Sequence, residues 1–214
     1  MFPFLSCALN ITPITAQDYD ALIENATLVV ADAAGEKVLT TKTGDMLKVF
    51  RRKRLFSSAF FAPYAVRFVN NAIQLTDIGI HTIQPLTIQH CAQRQLHVVR
   101  YAPIAGRLLR AALQDDTSGD LLVRTARYIA SLHGKGVYFR SLHFENVIID
   151  NTRFGLIDIA DMKIYPQALN KNLRERNFQH FLRYPPDAEI IAAYGLDRFR
   201  QAYEDAGIAG ENQI

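Results

Sequence analysis

The stretch GVYFRSLHFENVIID, Gly136–Asp150, decides how the rest of the chain is read. It opens as a loop behind a glycine and closes in an apolar run of strand composition. Asn146 stands near its centre. Further on, FGLIDIAD (Phe154–Asp161) repeats the pattern, with Asp158 ending a second short apolar run. Two strands, Asn146–Asp150 and Phe154–Asp158, joined by a turn at Asn151-Thr152, would put an amide oxygen and a carboxylate at adjacent strand ends. Hard oxygen donors of this kind suit Mg²⁺. The plainer alternatives are a turn residue bonded to its own backbone for Asn146 and a strand-end cap for Asp158.

Outward from that pair, SGDLLVRTARYIASLHGKG (Ser118–Gly136) has helical spacing at Leu122, Ala126 and Ile129. Ser118 is its expected cap and Gly134 its expected stop. Downstream, NLRERNFQHFLRY and DAEIIAAYGLDRFRQAYEDAG read as two helices separated by Pro185-Pro186. The first half is strand-rich. Leu28–Ala31, Lys37–Thr41 and Met46–Phe50 alternate with turn signals at Ala33-Ala34-Gly35 and Thr43-Gly44-Asp45. A helix is expected from Phe61, capped by Ser57 or Ser58, with its apolar face at Ala65, Phe68, Ala72 and Leu75 and its end at Gly79. TIQPLTIQHC and RQLHVVRYAPI follow as two more strands. The expected order is thus β-β-β-α-β-β and then a mostly helical half, with the joint near Tyr101–Gly106.

The bulk numbers narrow the class. The chain has 214 residues, 49% hydrophobic and 21% charged, with a net charge of +3. That is enough to bury a core in one domain or two small lobes. The charge is too mild to suggest nucleic acid, and no aromatic-interleaved basic strand of the RNA-binding kind is present. Cys7 and Cys91 lack metal-like spacing, so free thiols in a reducing cytoplasmic setting are expected. The apolar start has no basic leader segment and is interrupted by Pro3 and Pro13, so no signal peptide is expected. No stretch approaches the roughly 20 apolar residues of a membrane span.

The element order and four ordered motifs resemble the protein-kinase-like superfamily. DMLK places Lys48 late in the third strand, LHGKGVYFRSLHFEN matches a catalytic loop, LIDIAD matches a metal-binding aspartate strand, and VVRYAPIAGRLL looks like a hinge. The resemblance spans roughly residues 25 to 185, and the GVYFRSLHFENVI wording with the short loop after Asp158 is most similar to small bacterial kinase-like proteins related to lipopolysaccharide core heptose kinases, some labelled toluene-tolerance proteins. The resemblance implies an α+β, two-lobed fold. A five-stranded antiparallel sheet with one helix would form residues 1–103, and a compact, mainly helical lobe residues 104–214. It implies ATP and Mg²⁺ as cofactors. Lys48, Gly35 and Tyr101 would attend the nucleotide, and Asn146 and Asp158 the metal. A phosphorylated sugar of a lipid-linked core oligosaccharide is the implied product, made in the cytoplasm or peripherally at the inner membrane.

Each residue also has a plain reading. Lys48 shares a strand face with Met46 and Phe50, which is costly for a charge without a partner. A triphosphate would supply one, and a lysine snorkelling from a sheet edge is the alternative. The turn at Gly35 has a single glycine and is equally well an ordinary hairpin. Arg51–Arg54 (RRKR) is either a solvated turn or a contact for an anionic glycolipid or membrane surface.

Two departures from the family pattern bear on activity. Phe68 occupies the helix position where a glutamate would pair with Lys48, which leaves Asn71 as a substitute partner. Ser141 stands where the catalytic aspartate would be, and a serine hydroxyl is no general base near neutral pH. His143 and Asp161 are the candidate replacements, with a loop histidine and a cap or partner for Arg140 as their plainer roles. A catalytically inactive binding or regulatory module in envelope biogenesis is therefore the alternative to a kinase.

Overall fold

The computed structural model of the chain describes residues 7–51 and 63–207. The chain divides into two compact units, Met1–Thr76 with Thr82–Ile104, and Asp77–His81 with Ala105–Ile214. The class is α+β, with seven helices among the described residues.

The first unit is built on a sheet of six strands rather than five. These are β1 (Ile11–Pro13), β2 (Ala26–Asp32), β3 (Gly35–Thr41), β4 (Met46–Arg51), β5 (Gln84–Cys91) and β6 (Leu96–Ala102), in the spatial order β1-β5-β6-β4-β3-β2. Five strands pair antiparallel, as expected. The sixth, β1, adds to β5 in parallel, with Ile11 opposite Ile88, so the sheet is mixed.

Helix α1 (Ala16–Glu24) follows β1 and starts on a capping box. The Thr15 side chain accepts from the Asp18 N–H, and the Asp18 carboxylate accepts from the Thr15 N–H. Two orphan amides are thereby satisfied. Neither element is evident from sequence periodicity, because β1 is three residues long and contains Pro13.

Strand alternation sends Leu47 and Val49 of β4, and Leu96 and Val98 of β6, to one sheet face. There they join Tyr19, Leu39 and Cys91 in a buried cluster, with Ile14, Ala16 and Ile23 packed against it. Helix α2 (Tyr64–Asp77) buries Ala65, Phe68, Val69, Ala72 and Leu75. Its expected beginning at Phe61 and the caps Ser57 and Ser58 lie outside the described residues. Strand β2 is a sheet edge, and Leu28, Val29 and Val30 are exposed on it.

The second unit contains β7 (Arg107–Leu108), α3 (Leu109–Gln114), α4 (Asp120–Gly134), β8 (Val137–Phe139), β9 (Val147–Asp150), β10 (Arg153–Leu156), β11 (Met162–Ile164), α5 (Lys171–Phe181), α6 (Pro185–Tyr194) and α7 (Leu196–Asp205). The expected hairpin is β9–β10, extended by β7 to three strands. A second pair, β8–β11, was not anticipated.

Boundaries differ from expectation for identifiable reasons. Ser118 is not the residue at the cap position of α4. Gly119 is, at φ 77°, while the Ser118 hydroxyl and the Asp116 carboxylate accept from the Asp120 and Leu121 N–H groups. Gly134 lies inside α4, and the left-handed glycine that turns the chain is Gly136, φ 76°. The final helical stretch breaks into α6 and α7 at Gly195, φ 108°.

His133, near the end of α4, is almost fully buried among Phe178, Tyr203 and Asn177. Asn177 Nδ2 donates to the Phe139 carbonyl at 2.8 Å, so its Oδ1 acts as the acceptor. The His133 Nε2 atom, 3.1 Å from that oxygen, must carry the ring proton. Nδ1 then accepts from the Tyr203 hydroxyl at 2.7 Å. Burial pushes the His133 pKa down to about 4, against an ordinary value of 6.5.

The unfolded chain therefore takes up a proton between pH 6.5 and about 4 that the folded chain refuses. The stabilisation is complete above pH 6.5 and is lost on acidification, at about 1.4 kcal/mol per pH unit in that window. Urea midpoints measured from pH 7 to pH 4.5 should fall accordingly, and His133→Gln should flatten the slope.

Candidate functional site

The candidate residues of the second unit are assembled by two strand pairs that end side by side in sequence. In β8–β11, Phe139 is opposite Met162. One step outward along the same register, Arg140 faces Asp161. That places an Arg140 guanidinium nitrogen 3.9 Å from the Asp161 carboxylate, and Ser141 Oγ donates to the same carboxylate at 3.4 Å. In β9–β10, Leu156 is opposite Val147, and one step outward the Ile157 N–H donates to the Asn146 carbonyl at 3.0 Å. Asp158 is the next residue.

Asn146 does not begin a strand, as the sequence suggested. It closes a 3₁₀ turn, Phe144–Asn146, and is buried. Its Nδ2 donates to the Ser141 carbonyl at 2.8 Å. That bond fixes the amide orientation and presents Oδ1 as the acceptor. Asp158 lies beyond the end of β10, at φ 53° and ψ 39°, and starts a second 3₁₀ turn, Ile159–Asp161. Asp and Asn tolerate this left-handed geometry better than most residues. The two donors thus stand at loop positions held by strand ends. A carboxylate and an oriented amide oxygen fit Mg²⁺, which takes few protein ligands and fills its octahedron with water and phosphate oxygens.

His143, the other candidate base, is placed differently. Its ring packs on Tyr184, with centroids 4.3 Å apart, and its Nδ1 is buried without a hydrogen-bond partner. Burial lowers its pKa, although the Asp187, Glu145 and Asp158 carboxylates pull the other way. The geometry brings Ser141 and Asp161 together and packs His143 against Tyr184 instead.

The loop is clamped by residues that sequence reading missed. Asp187, fully buried at the start of α6, accepts from the Phe144 N–H at 2.6 Å. It also takes Arg110 of α3 through Nε at 2.8 Å and Nη2 at 2.7 Å. Arg110 Nη1 reaches Glu145 at 2.6 Å. One guanidinium therefore joins two carboxylates across the loop that carries Asn146. In sequence, Asp187 looks like any acid in a helix's first turn, and nothing local points to Arg110, 77 positions away.

In the first unit, Lys48 is buried on β4 between β3 and β6, so it does not snorkel from an edge. Its Nζ lies 5.4 Å from the Phe68 ring centroid and 5.8 Å from that of Phe50. Phe68 was expected to be unable to partner Lys48. The geometry corrects this, because an aromatic face attracts a cation electrostatically. Tyr101 packs edge-on against the same Phe68 ring, at 5.5 Å. Asn71 is buried on α2.

The turn at Gly35 is a tight hairpin at φ 109°, and the Ala34 N–H donates to the Asp32 side chain at 2.8 Å. That amide is therefore already engaged. Arg51 pairs with Glu36 at 2.5 Å. Residues 52–54 of the basic run lie outside the described residues.

Among the described residues no helix is long and apolar enough to cross a membrane. A scan against protein-family models matches none, and a search of curated proteins finds no match.

Proposed function

We propose that the chain is a nucleotide- and Mg²⁺-binding protein of the kinase-like kind, acting on a sugar hydroxyl of a lipid-linked core oligosaccharide. The observation that supports the metal part is an Asn146 amide whose Nδ2 is committed to Ser141, which leaves Oδ1 as the acceptor, with Asp158 one residue past the Ile157 N–H that donates to the Asn146 carbonyl. Mg²⁺ held there would neutralise phosphate oxygens. Lys48 in the first unit supplies a buried cation suited to phosphate, flanked by aromatic rings.

In the transfer, the acceptor oxygen bonds to the γ-phosphorus, the bond from that phosphorus to the β,γ-bridging oxygen breaks, and ADP leaves. The acceptor proton goes to Asp161, the carboxylate beside Ser141. The antiparallel strands with a helix between the third and fourth support the two-lobed reading. The sugar acceptor and the envelope setting rest on the family resemblance alone.

A thermal-shift titration tests the nucleotide reading. Saturating MgATP should raise the melting temperature by several degrees, corresponding to about 2.7 kcal/mol at a hundredfold excess over Kd. ATP without Mg²⁺ should do much less, and Asp158→Asn should abolish the difference. An unmoved melting temperature at millimolar MgATP would sink the proposal.

Ser141 favours a second reading, a binding module without turnover. Phosphate transfer to purified core oligosaccharide separates the two. A tenfold or larger rate loss in Asp161→Asn, with the MgATP shift intact, is expected of the enzyme.

A further inference from the structure

We propose that Arg140, Arg176 and Arg183 form a docking surface for a phosphomonoester carried by the acceptor, an assignment that rests on the kinase-like reading for the acceptor's role. Residues 176, 180 and 183 recur at helical spacing, on one face of α5 and its terminal turn. That helical segment is fastened to the candidate loop at two points. Asn177 donates to the Phe139 carbonyl, and Tyr184 packs on His143. Arg140 and Ser141 lie in sequence between those anchors.

The charges converge there. His180, half-buried on α5, has its pKa lowered first by desolvation and then by Arg183, Arg140 and Arg176, with Asp161 opposing. Three guanidiniums and one carboxylate thus act on the same ring. Arg140 has only the loose 3.9 Å approach to Asp161, and neither Arg176 nor Arg183 has an ion-pair partner among the described residues. Six other arginines, Arg51, Arg94, Arg100, Arg107, Arg110 and Arg200, pair with carboxylates. Arg124, Arg127, Arg153 and Arg198 are, like Arg176 and Arg183, without an ion pair among the described residues, and what distinguishes the patch is its place beside the candidate loop.

Gathering like charges without counter-ions costs stability. Three guanidiniums less the Asp161 carboxylate leave two positive charges, which complement a phosphomonoester dianion. Arginine's planar fork matches phosphate oxygens two at a time. The patch lies beside Ser141 and Asp161, where a phosphate on the acceptor would orient a neighbouring hydroxyl.

The test uses the full chain with two probes. One is glucose 6-phosphate in solution, with glucose as control. The other is phosphatidylcholine vesicles containing phosphatidic acid, with plain vesicles as control. Wild type should bind at least one phosphate-bearing probe and neither control. The triple variant Arg140→Gln, Arg176→Gln, Arg183→Gln should bind about tenfold or more weakly, with its melting temperature preserved or raised, because all three side chains are exposed and their mutual repulsion is removed.

Binding of the soluble probe assigns the surface to a free phosphosugar, and binding of vesicles alone assigns it to a lipid-borne headgroup. Unchanged affinity in the triple variant, or no wild-type binding at millimolar probe, overturns the docking surface. The MgATP shift, measured on the same samples, is read separately. Its absence with Arg-dependent phosphosugar binding intact would end the nucleotide reading and leave the surface standing.

Discussion

Asp187→Ala will lower the stability of the chain by about 3–5 kcal/mol, a large share of the 5–15 kcal/mol typical of a folded domain. The carboxylate is inaccessible to water and serves two partners, the Phe144 N–H and the Arg110 guanidinium. Truncation leaves both with a hydrogen-bonding demand, and Arg110 then has only Glu145, whose side chain is half exposed. Losing one member of a buried pair costs more than the pair itself contributes, because the remaining charge stays desolvated.

Asp187→Asn should lose less. Its amide oxygen can still accept from Phe144, while the charge opposite Arg110 is gone. Urea denaturation of the two variants should rank them in that order, and equal midpoints would contradict the clamp. Binding should follow stability, since the clamp grips the turn that ends in Asn146.

Gly136→Ala should be comparably damaging. The residue sits at φ 76°, where an L side chain costs about 1–2 kcal/mol. A Cβ built there would lie 2.2 Å from the Tyr165 carbonyl oxygen and 2.6 Å from that of Gln167. Neither is a flexible side-chain tip, and the Tyr165 N–H also donates back to the Gly136 carbonyl at 2.9 Å. Relief requires prising the segment after β11 away from the start of the candidate loop, for a total of about 3 kcal/mol or more when overpacking is added.

Gly44→Ala provides the contrast. Its φ is 88°, but nothing lies within 4 Å of the added carbon. It should lose only the conformational part, about 1–2 kcal/mol. Melting temperatures of the two variants, differing by several degrees, would separate steric from conformational cost.

The parts of the fold that were legible in sequence are those with local periodicity. The strands around Lys48, the body of α4 and the β9–β10 hairpin all announce themselves through alternation or helical spacing. Asn146 and Asp158 were singled out as candidates because each follows or precedes such a run at a fixed interval. What escaped notice is non-local or too short. Strands β8 and β11 have three residues each; β8 is buried throughout and shows no alternation, and β11 is too short for its alternation to stand out.

The clamp at Asp187 joins positions far apart in the chain, and no spacing rule reaches that distance. Asp158 was read as the last residue of a strand because apolar character continues up to it, whereas the ladder ends at Leu156 and Asp158 itself has a left-handed backbone. Phe68 was misjudged for a chemical reason. A search for a carboxylate partner overlooks the attraction between an ammonium group and a ring face.

The sixth strand has a consequence for the order in which the first unit is made. Ile11 pairs with Ile88, and Tyr19 of α1 shares a core with Leu96 and Val98. The earliest-synthesised elements therefore await partners that leave the ribosome some 77 residues later. Until β5 and β6 arrive, Leu39, Leu47 and Val49 have no completed sheet to belong to, and α1 has little to cover. Parallel closure over so long a separation is slow, because loop entropy is spent before contacts return it. The edge that completes the sheet is thus the last to be earned during biogenesis.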